Sequence, residues 1–418
     1  MKMLVFGLAI CSCVTVIWLT YRSFSQYNRS QDFAISLLAC STFVGPIIRG
    51  IPSFQFSTPI GDFDAVVTWF ILVLAGIEGA RVRGELVHSA SQRLLLKALL
   101  LGWAYIALLK IYQQETFRPS FAYLPVVILI VLRLSPDIES FLFISPLLLF
   151  VNALLFISML TRFQSGAIDP NQSLELSGVE YRNFLWDIFG TVERFRGPFS
   201  HPNAAAEFLT FSAILLFASR RKVYKFSSIL PILLLGLASS RGGLVVTTIS
   251  VVLILLINSD SKSFVQLNSA SRFYVGLLVV SGVIAFYGIL SSKITLTGRT
   301  TAWKNYLLNW KSGFWFGDSL SVRPTENVLV YAFISTGIFG LLLMMYLLVK
   351  LIKMTVSNPN HRTVIGSSVL LAFIVRGAFE VNFELGVWDI GTYSYLLILY
   401  TNGSPASKSM RTRASSEN

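Results

Sequence analysis

The chain has 418 residues, 54% of them hydrophobic and 13% charged, with a mean hydropathy of +0.66. Soluble domains carry about 25% charged residues, so a soluble fold is excluded and an integral membrane protein is expected. The net charge of +13 does not call for nucleic acid, because the basic residues fall in short clusters between apolar runs, where they act as topology signals.

Apolar runs recur at bilayer-crossing length without the alternation of a barrel strand, which predicts an all-α fold, a polytopic membrane helix bundle. Spans are expected over 3–20, 33–48, 63–80, 94–112, 121–134 and 141–160. A second set follows at 204–219, 226–239, 244–258, 273–290, 327–350, 364–379 and 385–400. The 121–134 run is short enough to be re-entrant, so the expected total is about twelve to thirteen. The first run is read as an uncleaved anchor rather than a signal peptide. Residues 1–402 form one transmembrane domain, and 403–418, Ser-rich and basic, a disordered tail.

Arg220, Arg221, Lys222 and Lys225 make a dense basic hairpin that should face the cytoplasm. Alternation from it puts the loop with Arg81, Arg83 and Arg93, the loop with Lys350, Lys353 and Arg362, and the C-terminal tail on the same side. The segments 161–202 and 291–326, the turn 240–243 and the turn around Glu380 then lie on the outer side. Within the first of these, Asp169, Glu175, Glu180 and Asp187 stand beside Phe184, Leu185, Trp186 and Phe189. That mixture suits a short interfacial helix, or equally a lid-like cap without chemistry.

Chemistry concentrates in Glu193-Arg-Phe-Arg-Gly-Pro-Phe-Ser-His-Pro-Asn203. Pro198 and Pro202 bias the residues before them away from helix, so the run reads as a shaped loop. It turns into a helix near Asn203, which stands where an N-cap belongs. Arg194 and Arg196 flank Phe195 and share one side of an extended strand, where two guanidinium forks match a diphosphate better than a neutral sugar. Gly197 supplies the turn. His201 is the histidine with reactive neighbours, whereas His88 and His361 sit among basic loop residues and are expected to be solvated. The same run also reads as a plain solvated loop.

Arg241 lies in Ser239-Ser-Arg-Gly-Gly243 between two apolar runs. An arginine at that depth is costly without a partner, and Gly242 and Gly243 let the backbone approach a phosphate at a helix start. A snorkelling anchor is the competing reading. Arg299 opens a segment in which Trp303, Tyr306, Leu307 and Trp310 recur at helical spacing, an interfacial amphipathic helix. Candidate bases are Glu193, Glu207 and Glu326, the last beside Asn327 and close to Arg323, with which it would otherwise form a salt bridge. Arg376, Glu380 and Glu384 read as an outer cluster paired among itself. Cys11, Cys13 and Cys40 lie inside apolar runs; no metal site and no cofactor is expected.

Taken in order, Arg196-Gly-Pro-Phe-Ser-His-Pro-Asn203, Ser240-Arg-Gly-Gly243, Gly298-Arg299 with Trp303, Glu326-Asn327 and Gly337-Ile-Phe-Gly340 resemble the O-antigen ligase and polymerase family. The resemblance covers about the second half of the chain. It implies an inverting glycosyl transfer at the outer leaflet of a bacterial inner membrane, from an undecaprenyl-diphosphate-linked glycan to an acceptor glycan. No nucleotide-sugar and no obligatory metal would take part, and a chain-length regulator or flippase would be the assembly partner. Carried over, Arg196, Arg241 and Arg299 would hold the diphosphate; the reading of the residues themselves adds Arg194 to that grip, Glu326, His201 and Arg241 as the catalytic groups, and Gly197, Asn203, Gly242 and Asn327 in support. Ligases of that family carry histidine before the late asparagine, and here that residue is Glu326, which favours a polymerase of repeat units over a ligase acting on lipid A-core. A transporter or lipid flippase and a non-catalytic envelope scaffold are the competing classes. A transporter should place charges near the middle of discontinuous spans, whereas here the mid-span residues are nearly all apolar.

Overall fold

The computed structural model describes residues 30–49, 57–58, 61–82, 88–115, 117–134, 138–165, 179–183, 191–195, 197–199, 202–219, 221–238, 243, 246–251, 254, 314–317, 327–357, 363–377 and 385–403. It is a helical membrane bundle with two short antiparallel hairpins at its edges. Five of the described helical stretches are long and apolar enough to cross a bilayer. The expected spans 3–20 and 273–290, most of 244–258, and the amphipathic segment after Arg299 lie outside the described residues.

Helix α1 (Ser30–Arg49) and helix α2 (Phe63–Arg81) form the first packed pair. They approach closely at Gly45, where an added Cβ would stand 2.9 Å from Thr68 Oγ1. Asp64 in the first turn of α2 and Arg81 in its last follow the sense of the helix dipole. Between them runs a hairpin of β1 (Ser57–Thr58) and β2 (Gly61–Asp62).

Helix α3 (Ala90–Tyr112) is the post against which much of the bundle is registered. Ser89 starts it with a capping box: its hydroxyl accepts from the Gln92 amide at 3.1 Å while Gln92 Oε1 accepts from the Ser89 amide at 2.9 Å. After α3 the chain makes a 3₁₀ turn (Pro119–Ala122) and returns as α4 (Tyr123–Val131). Trp103 Nε1 donates to the Phe121 carbonyl at 2.7 Å at one end of this return. At the other end His88 Nε2 meets the Leu132 carbonyl at 3.2 Å. The expected short 121–134 span is thus a half-length helix.

Helices α5 (Ile138–Leu142) and α6 (Ser145–Ser165) follow. The outer segment 161–202 contains an antiparallel hairpin of β3 (Val179–Asn183) and β4 (Thr191–Phe195), with Glu180 opposite Arg194. The aromatic run from Phe184 to Phe189 between the strands lies outside the described residues. Helix α7 (Pro202–Ala218), the short α8 (Lys222–Ser227) and α9 (Ile229–Leu237) come next, with Arg221 and Lys222 exposed at the hairpin between α7 and α9.

The last three helices are α10 (Val328–Ser357), α11 (Thr363–Gly377) and α12 (Ile390–Gly403). Short connections make successive helices antiparallel neighbours, so the starts of α10 and α12 and the end of α11 share one end of the bundle. Two expectations change here. The span expected over 327–350 is a 30-residue helix broken at Gly337 (φ 68°, ψ −168°), and the span expected from 385 begins only at Ile390, after a turn at Gly386 (φ 82°).

Candidate functional site: a recessed end of the bundle

Helix α12 opens only at Ile390, after the turn at 385–389. That turn stops short of the end of α3. Its depth can be read on α3: Leu385 packs on Gly102, and Gly386 lies against Ile106. These are ten and six residues before Tyr112, or about 15 and 9 Å below the end of α3. Trp388 is buried in the same turn and donates from Nε1 to Ser41 Oγ of α1 at 2.7 Å.

The break in α10 lies at a similar depth. The Thr336 carbonyl, freed by the break, accepts from the Tyr105 hydroxyl at 2.6 Å. The Ile338 amide, first in the second half, donates to the Phe314 carbonyl at 2.9 Å. Segment 314–317 thus supplies what the helix lacks, in keeping with the demand that backbone groups at membrane depth be satisfied by protein. Two glycines make the crossing possible. A Cβ on Gly317 (φ 75°) would fall on the main chain of Ser335 and Thr336, and one on Gly337 on that of Trp315 and Phe316.

Between α3, the broken helix and the 385–387 turn lies a cavity of about 110 Å³. Ile106, Phe121, Met344, Leu385 and Val387 give it an apolar wall. Its serine and threonine hydroxyls are turned back on their own helix, Ser335 to the Tyr331 carbonyl and Thr336 to the Ala332 carbonyl. Lys110 is the charged residue in the lining; it pairs with Glu115 at 3.2 Å and stands 5.8 Å from the centre of the Phe121 ring.

The expected polar run reaches the same end of the bundle from the other side. Gly197, with φ 57°, and Pro198 and Phe199 are all buried. Phe199 stacks toward Phe208 at 5.5 Å, and Phe208 toward Phe43 of α1 at 5.2 Å, so the loop folds back over the helix that follows it. That helix begins at Pro202, a residue suited to the first helical position because its missing N–H has no intrahelical use there. Asn203 is therefore inside the first turn, and the expectation that it caps the helix is corrected. Its carbonyl accepts from Nη2 of Arg376 at 2.6 Å. Arg376, only 5% exposed, is in the last turn of α11, where the negative end of the helix favours a cation. It was expected to pair with Glu380 and Glu384, which lie outside the described residues.

The asparagine that does cap a helix is Asn327. Its Oδ1 accepts from the amides of Leu329 and Val330, each at 3.0 Å, the arrangement that satisfies orphan donors at a helix start. Arg194 is in strand β4, as an extended segment required, and that strand packs against α7 and α9. Arg196, His201, Arg241, Gly242, Arg299 and Glu326 lie outside the described residues, although the neighbours Gly197, Pro202, Gly243 and Asn327 are inside them. The structure thus brings together the chain around Gly197, Asn203 and Arg376, and places Asn327 at the same end of the bundle.

His88 reverses its expectation. It is buried, 8% exposed, donating from Nε2 to the Leu132 carbonyl and accepting at Nδ1 from the Tyr400 hydroxyl at 3.3 Å. Burial pushes its imidazole below the usual value; the Leu132 carbonyl opposes this and the charge of Arg93 adds to it. It lies at the start of α3, opposite the recess, and has no part in the site. Tyr105 and Arg376 were the residues that local pattern could not single out as partners. The visible signals were a glycine inside an apolar span and an arginine near the end of another. No family model matches the chain, and none of the curated proteins matches it.

Proposed function

We propose that the protein transfers a glycan from undecaprenyl diphosphate to an acceptor sugar at the outer leaflet of a bacterial inner membrane, as a polymerase of repeat units. The observation that carries this reading is the gathering of helix ends at one recessed end of the bundle. The starts of α7, α10 and α12 and the end of α11 meet there, and the arginine-rich run enters α7 at that point. A recess about 9 to 15 Å below the end of α3 suits a lipid-linked donor, whose isoprenoid stays in the bilayer while its diphosphate reaches polar groups.

In the reaction the acceptor hydroxyl attacks the anomeric carbon from the face opposite the diphosphate. The bond from carbon to diphosphate oxygen breaks, its electron pair leaves on the diphosphate, and the hydroxyl proton passes to a base, for which Glu326 is the candidate. Guanidinium groups of Arg196, Arg241 and Arg299 would carry the growing negative charge, an interaction stronger in the transition state than in the ground state. Helix starts add to that field.

The broken α10 is the one observation that favours a second reading, a transporter or flippase, since such proteins build their sites on discontinuous helices. Here both sides of the break are closed by main chain and by Tyr105. Deleting the protein separates the readings. A lost polymerase leaves single-repeat lipid-linked glycan at the outer leaflet, a lost flippase leaves it at the inner leaflet, and a lost ligase leaves finished polymer on lipid. Replacing Arg241 with Ala or Lys should lower polymer formation by about 100-fold or more with membrane insertion intact. Normal polymer from both variants would remove Arg241 from the site.

A further inference from the structure

The Arg376 guanidinium joins two helices that are 173 residues apart at their point of contact. It is buried, and it donates to a main-chain carbonyl in the first turn of α7, one residue beyond Pro202. Burying a guanidinium is costly unless it is paired or hydrogen-bonded, and the bond it makes here also holds something in place. What it holds is the start of α7, into which the run Arg194 to His201 leads. That start is also clamped by the Phe199, Phe208 and Phe43 rings and by the positive φ of Gly197. The rings fix the buried side of the corner, and Arg376 fixes its height against the end of α11.

We propose that Arg376 is a positioning residue: by gripping the Asn203 carbonyl it sets the place of the arginine-bearing strand and loop relative to the α11 end of the recess. The part of this that concerns turnover rests on the glycosyl-transfer reading above; the part that concerns the corner does not. Misplacing catalytic groups by about 1 Å costs on the order of 100-fold in rate, so a single lost grip distant from the chemistry would be felt.

The test uses full-length protein in nanodiscs, with Arg376 replaced by Ala, Gln or Lys, and reads two quantities. The first is amide hydrogen exchange. In R376A the peptide covering Gly197 to Phe208 should exchange at least about tenfold faster, as expected of a local opening, while peptides from α1 and α2 do not change. Lys keeps a donor only one bond short of the guanidinium and should restore protection; Gln, two bonds short, should not. The second is polymer formation in cells together with binding of undecaprenyl diphosphate to the purified variants. R376A should lose about 10- to 100-fold in product while still binding the lipid, and Lys should recover most of it.

Unchanged exchange in R376A overturns the positioning role whatever the protein does. Full recovery by Gln also overturns it, because a donor too short to reach the Asn203 carbonyl would then suffice. If R376A fails to fold, Gln and Lys carry the same comparison with wild type: protection retained in Lys and lost in Gln supports the grip, and equal protection in both refutes it. Faster exchange in a protein whose deletion leaves every glycan unchanged would support the grip and refute the glycosyl-transfer reading, so the two failures are separable.

Discussion

A buried histidine shows how far a residue's chemistry depends on what folds over it. His88 looks like a solvated loop residue beside Arg81 and Arg93, yet its two ring nitrogens are committed to Leu132 and Tyr400. Donation to the carbonyl fixes the tautomer, leaving Nδ1 as acceptor for the Tyr400 hydroxyl. Protonation would place a charge in buried surroundings with the Arg93 cation nearby. The folded state therefore prefers the neutral ring, and its pKa lies below the usual 6.5. Below pH 6.5 the unfolded chain takes up the proton first. The stability contributed by the neutral ring is thus full above that value and is lost as pH falls through the lowered folded value. Thermal unfolding in detergent should show a melting temperature that drops between pH 7 and pH 5 more steeply in wild type than in His88→Gln. Equal slopes would mean that the imidazole titrates normally.

Helices in this protein end where their main-chain groups find partners, not where the apolar run ends. The 30-residue α10 is broken at Gly337 because segment 314–317 passes there with its backbone in direct contact, and glycine is needed on both sides. The φ/ψ pair of Gly337 lies in a region that is essentially closed to other residues, and its Cβ position is occupied by main chain that cannot swing aside. Gly337→Ala should cost at least about 2 kcal/mol, from backbone strain together with the clash. Gly236→Ala, in the last turn of α9 with nothing within 4 Å of the added Cβ, should be neutral or stabilising by about 0.5 to 1 kcal/mol. Resistance to unfolding by detergent or heat reads both. A stable Gly337→Ala would show that the crossing is not the close backbone contact described.

At the scale of the whole molecule, the late start of α12 creates the recess. The turn that opens it lies against the middle of α3, at Gly102 and Ile106, rather than at the end of that helix. The Arg376 contact and the cap at Asn327 then put the starts of α7 and α10 at that same end. The basic hairpin at Arg221 and Lys222 falls at the opposite end of α7, the disposition that charge alternation requires. In a chain whose native cysteines are replaced by serine, Ser120→Cys, exposed just beyond α3, should react in intact cells with a membrane-impermeant maleimide. Arg221→Cys should react only after permeabilisation. Labelling of both from one side would refute the proposed sidedness.

The amino-acid sequence by itself determined the solvent: with 13% charged residues and repeated long apolar runs that lack a barrel strand's alternation, the membrane-crossing segments had to be helices. The approximate places of α1, α2, α3, α6, α7, α10 and α11 followed from the same runs, and the extended backbone at Arg194 from its flanking residues. Tertiary structure decided what hydropathy could not. An apolar run reports how much residue surface avoids water, but it is blind to where a helix inside that run must stop. The break at Gly337 and the late start of α12 depend on partners far away in the chain. So do the partners of single groups, the Asn203 carbonyl for Arg376, the Thr336 carbonyl for Tyr105, and Leu132 and Tyr400 for His88. A hydrogen bond between residues 173 positions apart leaves no local trace, because each end has an equally ordinary local role.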